Sequence, residues 1–191
     1  MFERFRHKFP LNDDKWSDYT SCFKRIEVPS RTILLNEGEI SKKLFLIEKG
    51  CIRVWCNNNG KDITTQFFFE NNMVSSIDSF RNKTPSLATI ETIEPCIIWW
   101  IHKRDADRII EEIKEIPSLR DMFINTIFER TFNYMSHFFS YIKDTPQERY
   151  LHLIKEKPQI VQRIPQHYIA SYLGITKVHL SRIKSQLTKN K

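Results

Sequence analysis

The sequence predicts an α+β protein in three successive parts: an N-terminal antiparallel β-roll of jelly-roll type over 1–116, one long helix over 117–143, and a helix-turn-helix over 144–191. Three observations carry this. Short apolar segments separated by turn residues crowd residues 23–101, the hydrophobic period lengthens to a helical one from His102, and an alanine–glycine spacing suited to two crossed helices closes the chain.

The strands come first. Lys24–Val28 alternates polar and apolar residues, Thr32–Leu35 follows Pro29-Ser30, and Asn36–Glu39 reads as a turn. Leu44–Glu48 and Cys51–Trp55 are separated by Lys49-Gly50, and Asn57–Asp62 is a hairpin signal because asparagine and glycine tolerate positive φ. Ile63–Phe69, Leu87–Thr92 and Cys96–Ile101 complete the set, a spacing that implies a sandwich or rolled barrel. Next, Ala106, Ile109, Ile110 and Ile113 form a helical stripe that ends before Pro117, a residue suited to the first position of a new helix. That helix has two apolar stripes: Leu119, Phe123, Ile127, Tyr134, Phe138 and Tyr141 form one, and Ile124, Phe128, Met135 and Ile142 the other. A helix bordering one core needs one such face, so the first stripe is expected to face a partner. Thr145, Pro146 and Glu148 form a capping box that restarts the chain after Lys143.

In the last segment Ala170 is small where two helices cross closely, and Gly174 sits where the chain turns. Ile169, Leu173, Ile175, Leu180 and Ile183 supply a shared apolar seam, which leaves Lys177, Val178, Ser181 and Arg182 on the opposite side of the second helix. Charge follows the motif. From residue 144 onward nine basic residues stand against three acidic ones, which leaves 21 basic and 20 acidic residues before it, so nearly all of the formal +7 lies at this end. Residues 176–191 hold Lys177, Arg182, Lys184, Lys189 and Lys191 and no acid, the footprint of a polyanion binder.

Composition excludes several classes. The 191 residues, 40% of them hydrophobic, suffice for a core, yet no stretch is apolar enough to span a bilayer and the first residues resemble no signal peptide. Cysteines 22, 51, 56 and 96 lack metal-site spacing and suit a reducing, cytoplasmic setting. No catalytic residues, no metal site and no cofactor are predicted. A cupin-type metalloenzyme would need two or three histidines and a carboxylate converging inside the roll, and the strand region has no His-x-His pair.

The order of β-roll, long helix and helix-turn-helix resembles the cyclic AMP receptor protein/fumarate-nitrate regulator (Crp/Fnr) superfamily of bacterial transcription factors. The resemblance rests on Leu44–Val54, with its strand-glycine-strand pattern, and on Ile169–Thr176 leading to Leu180–Ile183. It implies a cyclic-nucleotide-binding-like β-roll and a homodimer that reads a two-fold symmetric operator in double-stranded DNA, with RNA polymerase as a further partner. Gln166, Thr176, Lys177, Val178, Ser181, Arg182 and Lys184 are the expected DNA-binding residues. Members usually continue into a β-hairpin wing, whereas the sequence stops at Lys191, so DNA binding is expected to be weak or strongly salt-dependent.

The sensing cassette departs from the family pattern. Members that bind cyclic AMP carry glycine-glutamate before a short helix and an arginine after it, the glutamate for the ribose and the arginine for the phosphate. Here Ser75 and Ser76 stand at the first place and Ser86 at the second. The expected pocket residues are Ser75, Ser76, Ile77, Asp78, Ser86 and Leu87, with cyclic AMP and cyclic GMP excluded as effectors and the pocket either empty or taking an unidentified, more neutral or apolar small molecule. An alternative is a ligand-independent interaction scaffold with degenerate sensing and DNA reading. That alternative predicts an uncharged recognition helix, which Lys177 and Arg182 contradict.

Overall fold

The computed structural model describes residues 1–189, so Lys191, counted above in the basic end, lies outside the described residues. A 3-10 segment, Phe2–Lys8, and a helix, α1 (Asp13–Ser21), precede the strands. The Asn12 side chain accepts from the Lys15 N–H at 2.8 Å and starts α1. Then come β1 (Lys24–Val28), β2 (Ile33–Leu35), β3 (Lys43–Lys49), β4 (Ile52–Asn58), β5 (Lys61–Phe68) and β6 (Met73–Val74). Helix α2 (Ile77–Asn82) is followed by β7 (Thr89–Thr92) and β8 (Cys96–His102). The remainder is helical: α3 (Lys103–Lys114), α4 (Pro117–Lys143), α5 (Pro146–Glu156), α6 (Pro158–Arg163), α7 (Gln166–Tyr172) and α8 (Lys177–Lys189).

The strands form two four-stranded sheets, ordered β1-β8-β3-β6 and β2-β7-β4-β5, which make the jelly-roll-like β-roll. The chain divides into two compact units, Met1–Arg53 with Phe68–Ile127, and Val54–Phe67 with the residues from Phe128 on. This differs from the expected cuts at 116/117 and 143/144. Leu119 roots the start of α4 in the first unit, while Phe67 packs on Tyr172 and draws the hairpin into the second.

In the first unit the alternation of β3, β6 and β8 places Phe45, Ile47, Val74 and Ile98 on one face, all essentially buried. Leu44 and Ile101 occupy the other face, where a helical layer covers them: Leu11, Tyr19, Phe80, Ala106, Ile109 and Leu119 form one apolar cluster with Ile101. At the β3–β4 turn Gly50 has φ +103°, and a Cβ there would lie 2.5 Å from Cys96 Sγ and 2.8 Å from the Pro95 carbonyl, so only glycine fits. Just beyond it, Arg53 and Glu91 form a buried ion pair between β4 and β7, with the guanidinium Nε donating to Glu91 Oε2 at 2.8 Å and a second nitrogen 2.7 Å from the same oxygen.

The first apolar stripe of α4 requires a correction. Leu119, expected at a partner interface, is 1% exposed in the core of its own chain, because the first turn of α4 closes the helical layer beside Ala106 and Ile109.

In the second unit Asn59 (φ 53°) and Gly60 (φ 79°) make the two-residue turn between β4 and β5, with positive φ at both positions as a type I′ hairpin requires. Helix α5 opens with both bonds of the Thr145–Glu148 capping box, at 3.3 Å and 2.7 Å. The six-residue α6 is too short to show its period in sequence. Helices α7 and α8 meet through Ile169, Ala170, Leu173, Leu180 and Ile183, all at most 3% exposed.

Candidate functional site

The α7–α8 junction is built from backbone hydrogen bonds. The Ile175 N–H donates to the Ala170 carbonyl at 3.0 Å and the Gly174 N–H to the Ser171 carbonyl at 3.0 Å, the paired bonds of a Schellman turn with Gly174 at φ +68°. A Cβ on Gly174 would also lie 2.8 Å from the Tyr141 ring. The Thr176 hydroxyl accepts from the His179 N–H at 3.2 Å and caps α8. On α8 the buried Leu180 and Ile183 hold one side, and Lys177, Val178, Ser181 and Arg182 are exposed on the other. Gln166 and Thr176 are exposed at the two helix starts. Lys184 differs: four residues after Leu180, it is half-buried at the edge of the seam and apart from the outward row.

Tyr172, which sequence periodicity missed, is the packed centre of this unit at 3% exposure. Its ring stacks on His137 of α4 at 4.2 Å between centroids and meets Phe67 of β5 at 5.2 Å. Its carbonyl accepts from the Tyr141 hydroxyl, and the Leu173 carbonyl accepts from Arg149 at 3.0 Å. Tyr141, expected at a dimer interface, directs its hydroxyl and one ring edge to α7 and its turn and remains 38% exposed. Burial, then the charges of Lys157 and Arg149, push the His137 imidazole down to about 4, so it is neutral in the fold.

Helix α4 carries the largest exposed apolar surface. Phe123, Ile127, Tyr134 and Phe138 of the first stripe are exposed, as are Ile124, Phe128, Met135 and Ile142 of the second. Phe132 and Phe139, in neither stripe, are exposed too, and together these residues cover about half the helix circumference.

In the first unit the cassette serines satisfy one another. Ser86, 2% exposed, has its hydroxyl 2.9 Å from that of Ser76 and donates to the Ala88 carbonyl at 2.7 Å. Ser75 lies 3.0 Å from the Ser41 hydroxyl, and the Ser41 N–H donates to the Ser79 hydroxyl at 2.8 Å. The two serines expected to replace the cassette's glutamate and arginine thus bond directly to each other. Asp78 accepts from Asn82 at 2.7 Å and Thr84 at 3.0 Å on the surface. Ile77 and Leu87, expected to line a pocket, are 54% and 79% exposed. Two clefts of about 440 and 460 Å³ elsewhere include none of these residues. The described residues contain no group of three or more His, Cys, Asp and Glu placed to hold a metal ion, and no described helix is long and apolar enough to cross a membrane.

Residues 25–113 match the family model of the cyclic nucleotide-binding domain. Among solved structures the chain is similar to the Xanthomonas campestris global regulator CLP, described as responsive to c-di-GMP, with TM-score 0.73, 13% identity, and 94% of this chain and 93% of that one covered. A regulator from Eubacterium rectale, assigned to the Crp/Fnr family, gives TM-score 0.72, 18% identity and coverages of 96% and 88%. FixK2 from Bradyrhizobium japonicum gives 0.71, 14%, 88% and 85%. At such identities the likeness establishes the fold. No curated protein sequence matches the chain.

The buried imidazole yields a pH dependence. His137 is held well below its ordinary value of 6.5, so its contribution to stability is present above about pH 6.5 and is lost as pH falls toward about 4, where the unfolded chain binds a proton the fold resists. Denaturant unfolding of wild type and His137→Phe across this range should show the wild type losing stability more steeply. Parallel curves would mean the imidazole is not buried in its neutral form.

Proposed function

We propose that the chain, whose residues 25–113 match the family model of the cyclic nucleotide-binding domain and whose fold is similar to that of the Crp/Fnr regulators, is a non-enzymatic transcription regulator. It binds a two-fold symmetric DNA operator as a homodimer. The observation that carries this reading is the outward face of α8, where Lys177, Val178, Ser181 and Arg182 stand exposed on a helix without an acidic residue. Arg182 is suited to a bidentate contact with guanine, Lys177 to guanine or phosphate, and Val178 to a thymine methyl. The apolar arc of α4 supports dimerisation, because exposed phenylalanines at this density gain from mutual burial. RNA polymerase is a further partner in this reading, and the effector, where there is one, is a small molecule other than cyclic AMP.

Selection from random oligonucleotides should enrich a palindrome. Arg182→Ala should then weaken binding to it by about 1–3 kcal/mol while affecting random DNA much less. Recovery of no palindrome at low salt would count against specific reading.

Phe138→Glu should shift the protein from dimer to monomer in sedimentation at micromolar concentration, since a carboxylate in the middle of the apolar arc is costly to bury. An unchanged dimer would place the interface elsewhere.

Cyclic AMP should show no saturable micromolar binding by calorimetry. Two charge-assisted contacts are missing at Ser76 and Ser86, each worth about 1.5–3 kcal/mol, which together weaken binding by roughly two to four orders of magnitude. Micromolar binding abolished by a bulky residue at Ser86 would overturn this.

A further inference from the structure

Ser171 on α7 uses both functions of its hydroxyl on one strand. It donates to the Asp62 carbonyl at 2.7 Å and accepts from the Thr64 N–H at 2.9 Å, two backbone groups of β5 separated by one residue. Three residues beyond Thr64, Phe67 packs on Tyr172, the neighbour of Ser171. The hairpin segment 54–67 is thereby fastened to α7 by two hydrogen bonds and a ring contact, all within the second compact unit.

We propose that Ser171 is a positioning residue for DNA reading: through Asp62 and Thr64 it fixes α7, and through the Schellman turn it fixes the orientation in which α8 is presented to the duplex. This rests on the DNA-binding reading above. The sign follows from exposure. The fastening occupies α7 and leaves Lys177, Val178, Ser181 and Arg182 open, so it orders the reading helix without covering it. The bonds across Gly174 and the buried Ala170, Leu180 and Ile183 make α7 and α8 move together, so a tilt of α7 displaces every contact of α8. Residue choice points the same way. Alanine is the better helix former, so serine at 171 gains nothing for α7 in isolation. Restricting the reading helix before binding reduces the ordering cost that the complex otherwise bears.

The test uses the full chain with Ser171→Ala and Ser171→Thr, and it measures Thr64 amide hydrogen exchange without DNA, thermal midpoint, and affinity for the selected operator and for random DNA. In Ser171→Ala, Thr64 exchange should rise about tenfold and operator affinity should fall about three- to tenfold, with the midpoint somewhat lower because the buried Thr64 N–H loses its acceptor and random DNA less affected. Ser171→Thr, which keeps the hydroxyl, should restore both readouts. Unaltered Thr64 exchange in Ser171→Ala would overturn the fastening. Faster exchange with unaltered operator affinity would overturn the positioning role and leave the DNA reading intact. Failure of the wild type to select any operator would overturn the DNA reading and the positioning role together, while the exchange measurement still reports the bond itself.

Discussion

The packing of Tyr172 is the constraint on which the C-terminal unit depends. One ring touches α4 through His137 and β5 through Phe67, and the adjoining carbonyls receive Tyr141 from α4 and Arg149 from α5. Those carbonyls end α7, where a helix leaves its last acceptors without internal partners. Side chains of two other helices supply what α7 lacks, so its end is tied to tertiary structure as well as to its own Schellman turn. Burial and neighbouring negative charge raise the Tyr172 phenol well above its usual range, and burial lowers the Lys157 ammonium, so desolvation is the leading influence on both groups.

Much of this architecture was legible in the chain. Strand segments, the hairpin, the long helix from Pro117 and the capping box at Thr145 were all readable, because each is encoded by local chemistry: alternation, positive-φ residues, proline at a first turn, a reciprocal cap. What sequence could not show was which side of an apolar helix faces which neighbour. Leu119 and Phe123 belong to one stripe, yet Leu119 is core and Phe123 is exposed, because stripe membership fixes azimuth and not the neighbour met at each height along the axis. Phe132 and Phe139 were missed for a related reason. An apolar arc about half a circumference wide is broader than two stripes drawn at i+3 and i+4.

The candidate sites divide along the same line. The outward row of α8 could be read because helical period alone puts Lys177, Ser181 and Arg182 opposite Leu180 and Ile183. The cassette could be read only as a loss of charge; that Ser76 and Ser86 turn to one another, and that Ser41 and Ser79 join the cluster, depends on contacts between segments distant in sequence. Ser171 is the same kind of omission. It lies within the helix-turn-helix span with no role that the local pattern assigns, and its partners lie more than a hundred residues earlier.

The buried Arg53–Glu91 pair has a different consequence. Desolvating two charges costs several kcal/mol per ion, and their attraction roughly offsets it, so such a pair adds little net stability. It does penalise misalignment. A one-residue slip of β4 against β7 would turn one charge to the opposite face of the sheet and leave the other buried alone. The pair therefore acts as a registration key for the second sheet, fixing the stagger of β4 against β7 by charge where an apolar pair would tolerate a slip.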